Sequence, residues 1–306
     1  MKISFKKTVT NVSKKIIPSL NKKDAFKDSK IPIIDVINVS KNFTKWAHLT
    51  FLKKEKVVLD KINLKIKAGE RIAVLGANGA GKTTLVETIC GLRQPTSGHI
   101  EYNYRYTDVP VEKMGVQFQS FTYLPGLTVM DNIKFIIDAY GIKTNERVIS
   151  NLLKIFGLSD LVDKKANKLS GGQQQRLNVL LAILPDPLIL ILDELSTGLD
   201  LAIKEKILNF LDEYTKAKKI TLLFVSHDIE EILKLANRIV FLKDGKISAD
   251  ETKKSIIQKY GNVKEFLTRE LKKHEIEVAA DSATEMRKLT DEVITKQLTK
   301  EILLKE

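Results

Sequence analysis

The sequence predicts an α/β protein with a mainly parallel sheet, joined by an antiparallel β subdomain, a helical subdomain and a C-terminal helical extension. Three patterns carry this expectation. Arg71-Ile-Ala-Val-Leu75 and Leu188-Ile-Leu-Ile-Leu192 are apolar runs without alternation, as strands buried on both faces require. Lys61-Ile-Asn-Leu-Lys-Ile-Lys67 alternates with period two, the pattern of a half-buried antiparallel strand. Between residues 128 and 168 the apolar residues change to helical spacing, as at Val129, Ile133, Ile136 and Ile137.

The elements follow in order. Residues 1–30 hold nine lysines against Asp24 and Asp28, so this short arm carries +7 of the chain's +13. Phe5, Val9, Val12 and Ile16 recur at helical spacing among those lysines, which suits either a short helix lying on anionic lipid or a solvated flexible arm. Pro18 limits any such helix. Ile33 to Val39 reads as the first strand, and Thr44 to Lys56 as a long excursion before the next. With 306 residues and 43% apolar content, the chain can bury one main core with decorated ends. The N-terminus lacks the unbroken apolar stretch of a secretory signal. The longest apolar run, Leu177 to Leu192, is interrupted by Asn178, Asp186 and two prolines and is too short to span a bilayer. A single cysteine, Cys90, cannot form an internal disulfide and fits a buried helix position.

The strand Arg71–Leu75 runs directly into Gly76-Ala-Asn-Gly-Ala-Gly-Lys-Thr83, a G-x-x-x-x-G-K-[ST] segment with a strand before it and a helix after it. This predicts a P-loop NTPase core. Phosphate oxygens need several donors at close range, and a glycine-rich turn lets backbone N–H groups converge on them. Gly76, Asn78, Gly79, Ala80, Gly81, Lys82, Thr83 and Thr84 are the candidate nucleotide-binding residues. Lys82 is placed to reach the β- and γ-phosphates, and the Thr83 hydroxyl to hold Mg²⁺. Gly91 is placed to end the helix. The second apolar strand ends in Asp193-Glu194. Strand alternation predicts a division of labour, with Asp193 at the metal and Glu194 polarising an attacking water. Farther upstream, Ser170-Gly171-Gly172 opens another helix whose N-terminal amides suit an anion. The first cradle is already present, so this one is expected to serve another subunit's nucleotide. Asn21-Lys-Lys-Asp24 has the spacing of a guanine-reading motif but lies before the P-loop, and it is rejected as one.

The ordered set of motifs resembles the nucleotide-binding subunit of an ABC (ATP-binding cassette) transporter. It comprises the P-loop at 76–83, Gly115-Val-Gln-Phe-Gln119, Leu-Ser-Gly-Gly-Gln at 169–173, the acidic strand at 188–194, Ser196-Thr-Gly-Leu-Asp200 and Ser226-His227-Asp228. The resemblance covers about residues 33–250. It implies an ATPase that uses ATP and Mg²⁺ and faces a second ATPase subunit head to tail, in a homodimer or a paralogous heterodimer. It further implies a separate multi-spanning permease and a peripheral place on the cytoplasmic face of the membrane.

Carried over by position, Gln119 touches the metal and the attacking water, and Ser170, Gly171, Gly172 and Gln173 form the signature that completes the partner's site. Asp200 links the two sites, His227 holds the γ-phosphate and orients Glu194, and Phe43 stacks on adenine, with Trp46 and Phe51 as competitors for that role. His48, His99 and His274 have no such context. Leu195 and Asn237 depart mildly from the family pattern, at positions usually held by proline and often by aspartate. The domain boundaries implied are an arm at 1–30, an ATPase domain at 31–253 with its helical subdomain at about 128–183, and an extension at 254–306.

Gln119 to Leu127, rich in Phe, Tyr and Leu, is expected to line the permease groove or to pack under a loop. The run Asn132 to Gly141 is similar to the drug and polysaccharide exporter branch, which points to export. In the extension, Ser282-Ala-Thr-Glu285 reads as a capping box, and 263–303 as two helices. The alternative function is a soluble ABC-type ATPase acting on ribosomes or DNA. One P-loop per chain and too little length for coiled coils argue against it, so no nucleic acid is expected as a partner.

Overall fold

The computed structural model describes residues 31–46, 53–118, 123–195 and 198–270. The expectations placed on the basic arm, on the capping box at Ser282, and on His48, Phe51, Gln119 and His274 lie outside the described residues.

Two sheets form the larger of two compact units, residues 1–255. The smaller sheet is antiparallel, in the order β2-β1-β4, with β1 Ile34–Trp46, β2 Lys53–Ile66 and β4 Ser97–Tyr102. The strands at both ends of the Thr44–Lys56 segment run farther than the sequence suggests: β1 continues to Trp46 and β2 resumes at Lys53, so most of the expected excursion is strand. Cross-strand pairing such as Thr44 with Glu55 accounts for the difference, because the ladder supplies the backbone bonds that a loop would leave open.

The larger sheet has the order β5-β6-β7-β3-β8-β9. Its strands are β3 Arg71–Leu75, β5 Met114–Gln117, β6 Ile189–Asp193, β7 Thr221–Val225, β8 Arg238–Lys243 and β9 Lys246–Thr252. All neighbours pair in parallel except β8 with β9. β6 and β7 are buried along their whole length, as their unbroken apolar runs require. In open sheets of this kind the crevice beyond the carboxyl ends of the strands is where ligands bind, and β3, β6 and β7 all deliver their following residues to that edge.

Helix α1, Lys82–Ile89, follows β3. Helices α2 Val129–Ala139, α3 Glu146–Ile155 and α4 Gly171–Ile183 make up the helical segment, and α5 Leu201–Lys218 and α6 Ile229–Leu235 flank β7 in sequence. From α2 to α6 each helix starts on a side chain that accepts a hydrogen bond from the first turn: Thr128, Asn145, Ser170, Asp200 and Asp228. Helix α4 lies against β5 through a glycine. A Cβ on Gly115 would sit 2.0 Å from the Ala182 carbonyl oxygen, so no larger residue lets helix and strand approach this closely. Helix α7, Lys253–Tyr260, leads into the second unit, residues 256–306, which is helical again over 263–270. No helix among the described residues is long and apolar enough to cross a membrane.

Candidate active site

The loop between β3 and α1 is shaped by its glycines. Gly76 has φ +146°, and a Cβ there would lie 2.2 Å from the Leu242 carbonyl oxygen; at Gly81, φ +101°, it would lie 2.6 Å from that of Val58. These two positions press the loop against β8 and β2. Gly79, φ +81°, has open space around it, and with Asn78 it forms the exposed crest. Unlike the five helices that follow, α1 has no side-chain cap at its N-terminus, so its first amides retain their donor capacity. Lys82 is only 7% exposed, and its Nζ donates to the carbonyl oxygens of Gly76 at 2.9 Å and Ala77 at 3.0 Å. Desolvation lowers its pKa, against the pull of Glu194 and Asp193. A cation held back in this way, beside unpaired amides and a glycine cradle, fits a polyphosphate. Ala80 is buried behind the crest, and Thr84, half-buried, accepts the Thr88 hydroxyl at its carbonyl.

The Thr83 hydroxyl donates to Asp193 Oδ2 at 2.9 Å, joining the end of β6 to the P-loop. Asp193 is 1% exposed, and its Oδ1 has no hydrogen-bond partner. Burial raises its pKa, the Thr83 bond opposes this, and the neighbouring Glu194 charge adds to the rise. A buried carboxylate oxygen without a donor is costly, and a hard cation is the group that would satisfy it. Among the described residues no cluster of three acids, histidines or cysteines gathers at one point. The donor set is therefore one carboxylate and one hydroxyl, which suits Mg²⁺ shared with phosphate oxygens and water.

Glu194 does not continue the strand. It adopts φ +57°, the left-handed region that non-glycine residues rarely enter, while its N–H donates to Val225 O. The expectation that strand alternation separates the two acids is thus corrected: a reversal of the backbone at Glu194 does so. His227 follows β7 and is exposed on one side. Partial burial and the Lys82 charge hold its pKa below the ordinary value, against the opposing effect of Glu194. NMR titration of His227 is expected to give a pKa below about 6.5, which Glu194→Gln lowers further and Lys82→Met raises. The opposite ordering of the two variants would place neither charge beside the imidazole.

The residue after His227 anchors this segment to α5. Asp228 caps α6 through the N–H groups of Glu230 and Glu231, and its other oxygen pairs with Lys204, which also lies 3.7 Å from Glu230. Asp200, the cap of α5, accepts from Ile203 N at 3.0 Å, so Lys204 ties the helix that starts at Asp200 to the turn that carries His227. Lys204→Ala is expected to lower kcat about fivefold, the equivalent of an interaction worth about 1 kcal/mol, with KM little changed. Lys204→Arg should restore it in steady-state ATPase assays.

The signature segment forms the start of α4. Ser170 accepts from Gln173 N, and Gln173 Oε1 accepts from Ser170 N, a reciprocal capping box. Gly172 rests on the turn at Gly198, where a Cβ would come 2.2 Å from the carbonyl oxygen, whereas Gly171 faces open space. Among the described residues no hydrogen bond joins 170–173 to the P-loop of the same chain. Phe43 stands in β1, half-buried, with the Arg93 guanidinium 5.3 Å and the Lys41 amine 5.5 Å from its ring centre.

The structure therefore brings together Lys82, Thr83, Asp193, Glu194 and His227. It also adds residues that sequence reasoning passed over. Gln117, fully buried in β5, donates through Nε2 to Asp193 O at 3.1 Å and to Phe118 O, and its Oε1 has no partner. Gln175 of α4 donates to the carbonyl oxygens of Glu194 and Leu195. A glutamine inside a strand otherwise apolar was the available signal for Gln117; Gln175 was hidden in a run of three.

Comparison with known proteins accords with this geometry. Residues 59–197 match the family model described as ABC transporter. The spermidine/putrescine import ATP-binding protein PotA of Spiroplasma citri is 36% identical over 70% of this chain and 60% of its own length. The probable sulfate/thiosulfate import ATP-binding protein CysA of Chlorella vulgaris is 36% identical over 62% of this chain and 82% of its own. The chain spans about 60% of the length of the PotA relatives it matches. Among solved structures, the post-hydrolysis dimer of the ATP-binding cassette MJ0796 bound to ADP and Pi superposes with a TM-score of 0.62. It is 30% identical over 72% of this chain and 98% of that one. A further ATP-binding subunit of an ABC transporter gives a TM-score of 0.64 at 26% identity. A P-loop joined through Thr83 to Asp193, followed by a signature helix and matched by these relatives, establishes that the chain belongs to the ABC transporter family, as one of its α/β ATP-binding cassettes.

Proposed function

We propose that this chain is the motor of a membrane transporter. As a member of the family it is an ATPase that binds ATP with Mg²⁺. In the proposed mechanism two copies, or this chain and a paralogue, close head to tail. Ser170–Gln173 of each then meets the nucleotide held by Gly76–Thr84 of the other. The observation that carries the reading is the meeting of the three strand ends: Thr83 bonded to Asp193, Glu194 turned out of the strand beside it, and His227 electrostatically coupled to Glu194 and Lys82.

Lys82 and the α1 amides would bind the phosphates, and Thr83 with Asp193 would hold the metal. A metal held there would supply charge neutralisation to the phosphates. Glu194 would accept the proton of the attacking water, while His227 would donate a hydrogen bond toward the γ-phosphate. Gln119 is proposed to sense the partner, and Asp200 to link the sites through α5. Phe43 would stack on the base, with Arg93 and Lys41 at its rim.

The permease contact is proposed at the apolar groove between α2 and α3, a cavity of about 640 Å³ lined by Met130, Ile133, Ile137, Ile149 and Leu153. Exposed Phe135 lies on the same helix α2, and exposed Tyr140 caps its C-terminus. The exporter direction expected from Asn132–Gly141 rests on that short run alone; the named relatives are import proteins, and import is the direction we propose. We propose the cytoplasmic face of the membrane as the place where the chain works.

The test is to tag the chain with Glu194→Gln, solubilise membranes gently in MgATP and identify what copurifies. A stoichiometric multi-spanning protein supports the motor, and uptake into sealed vesicles carrying it reads the direction. Recovery only with ribosomal or nucleoid components would replace transport by the soluble alternative.

A further inference from the structure

Gln175 occupies a position that the hydrolytic reading does not use. It lies on α4, five residues beyond Ser170, and its Nε2 donates to Glu194 O at 2.9 Å and to Leu195 O at 3.3 Å. The Glu194 N–H is already fixed by Val225 O on β7. The backbone of this one residue is thus gripped from both sides, by the sheet at its amide and by α4 at its carbonyl. Such a grip is needed because φ +57° is unfavourable for a glutamate and would relax if either bond were lost. A carboxylate follows its backbone, so the grip also aims the Glu194 side chain. The same helix touches the next turn: the close approach of Gly172 to Gly198 binds α4 to the chain just beyond Leu195. Further along, Arg176 donates to the carbonyl oxygens of Phe156 and Gly157, which fixes the rotation of α4 about its axis. The first turns of α4 therefore touch Glu194 and Leu195 through Gln175, and Gly198 through Gly172.

We propose that Gln175 is a positioning residue for Glu194, holding the general base in its left-handed conformation from the helix whose N-terminus carries the signature. The proposal rests on the motor reading above, in which Glu194 takes the proton and Ser170 serves the opposite subunit. One rigid element then bears on two sites: its end on the partner's nucleotide, its second turn on this chain's own base. A shift of α4 on closure would reach Glu194 through the Gln175 side chain alone, by its hydrogen bonds to the carbonyl oxygens of Glu194 and Leu195.

The experiment uses the full chain and compares Gln175→Ala, Gln175→Glu and Glu194→Gln. Circular dichroism and the thermal shift produced by MgATP report folding and binding. Gln175→Ala is expected to keep both and to hold KM within about twofold, while kcat falls about 10- to 100-fold, the cost of misplacing a reacting group by a fraction of an ångström to an ångström. Gln175→Glu separates positioning from packing. The ionised carboxylate would face two carbonyl oxygens and repel them, whereas the protonated form can donate one O–H as the amide does. Its kcat relative to wild type should rise about fivefold or more as the pH falls from about 8.5 to about 6, and Gln175→Ala should show no such rise.

A kcat for Gln175→Ala within about twofold of wild type overturns the proposal. So does equal pH behaviour of the two variants, which would reduce Gln175 to a space-filling role, or loss of MgATP binding by Gln175→Ala. The underlying reading fails differently: near-normal turnover by Glu194→Gln removes the base itself, whatever Gln175 does.

Discussion

Glu194→Gln is expected to abolish turnover while leaving nucleotide binding intact. The amide keeps the volume of the carboxylate and its place beside β7, but it cannot accept the proton of the attacking water. Loss of a general base costs about 10²- to 10⁴-fold in rate, and the steady-state ATPase of this variant is expected within that range. Removing the negative charge also removes its repulsion of the triphosphate, so affinity for MgATP should be unchanged or higher. With hydrolysis blocked, the head-to-tail dimer should accumulate and be visible by size exclusion with light scattering in MgATP, and dissociate when ATP is withdrawn. Turnover close to wild type would mean that another group takes the proton, and the left-handed turn at Glu194 would then need a different explanation.

Lys82→Met should separate stability from function in the opposite direction. In the protein without nucleotide, burial lowers the Lys82 pKa, and the amine is held by two carbonyl oxygens of its own loop. A folded-state pKa below the unfolded value means that the unfolded chain binds this proton more readily. Lys82 therefore opposes folding at neutral pH, and the opposition is relieved as pH rises toward the ordinary lysine value. Methionine fills the same space without the charge, so the melting temperature without nucleotide should be no lower than that of wild type. Binding is another matter. At a hundredfold excess over Kd, MgATP should stabilise the wild type by about 2.7 kcal/mol, a shift of several degrees, and this shift should vanish in Lys82→Met along with turnover. A variant that melts early, or that still gains stability from MgATP, would contradict the reading of Lys82 as the phosphate cation.

Much of the site was legible because its parts are local. The P-loop is one contiguous segment, and β6 announces itself by five aliphatic residues followed by two acids. Ser170-Gly171-Gly172 opens a helix as its sequence suggests, and the structure adds a capping box between Ser170 and Gln173. The helical spacing read across 128–168 is met by the helices at 129–139 and 146–155, whose caps at Thr128 and Asn145 the structure adds. Other features needed distant partners. The extension of β1 to Trp46 depends on a ladder with β2 that no single-strand pattern reveals. Gln117 reads as an ordinary polar residue until β5 is paired with β6, which places its amide on Asp193 O. Lys204 and Asp228 are separated by 24 positions and meet only when α5 and α6 pack.

By itself, the sequence determined the motifs: a glycine cradle with its lysine, the hydroxyl and carboxylate proposed to hold the metal, the proposed base and a histidine, in an order that resembles one family. Motifs of that kind are written in short stretches, where residue type and spacing are sufficient. Only the tertiary structure decided how the groups are aimed. The order β5-β6-β7-β3 brings Gln117, Asp193, His227 and the P-loop to one edge although they lie far apart in the chain. The turn at Glu194, which separates the proposed base from the proposed metal ligand Asp193, is set by bonds with Val225 on one side and Gln175 on the other. A backbone conformation that is unfavourable locally can be held only by contacts from elsewhere, which is why no reading of residues 188–195 alone could have supplied it.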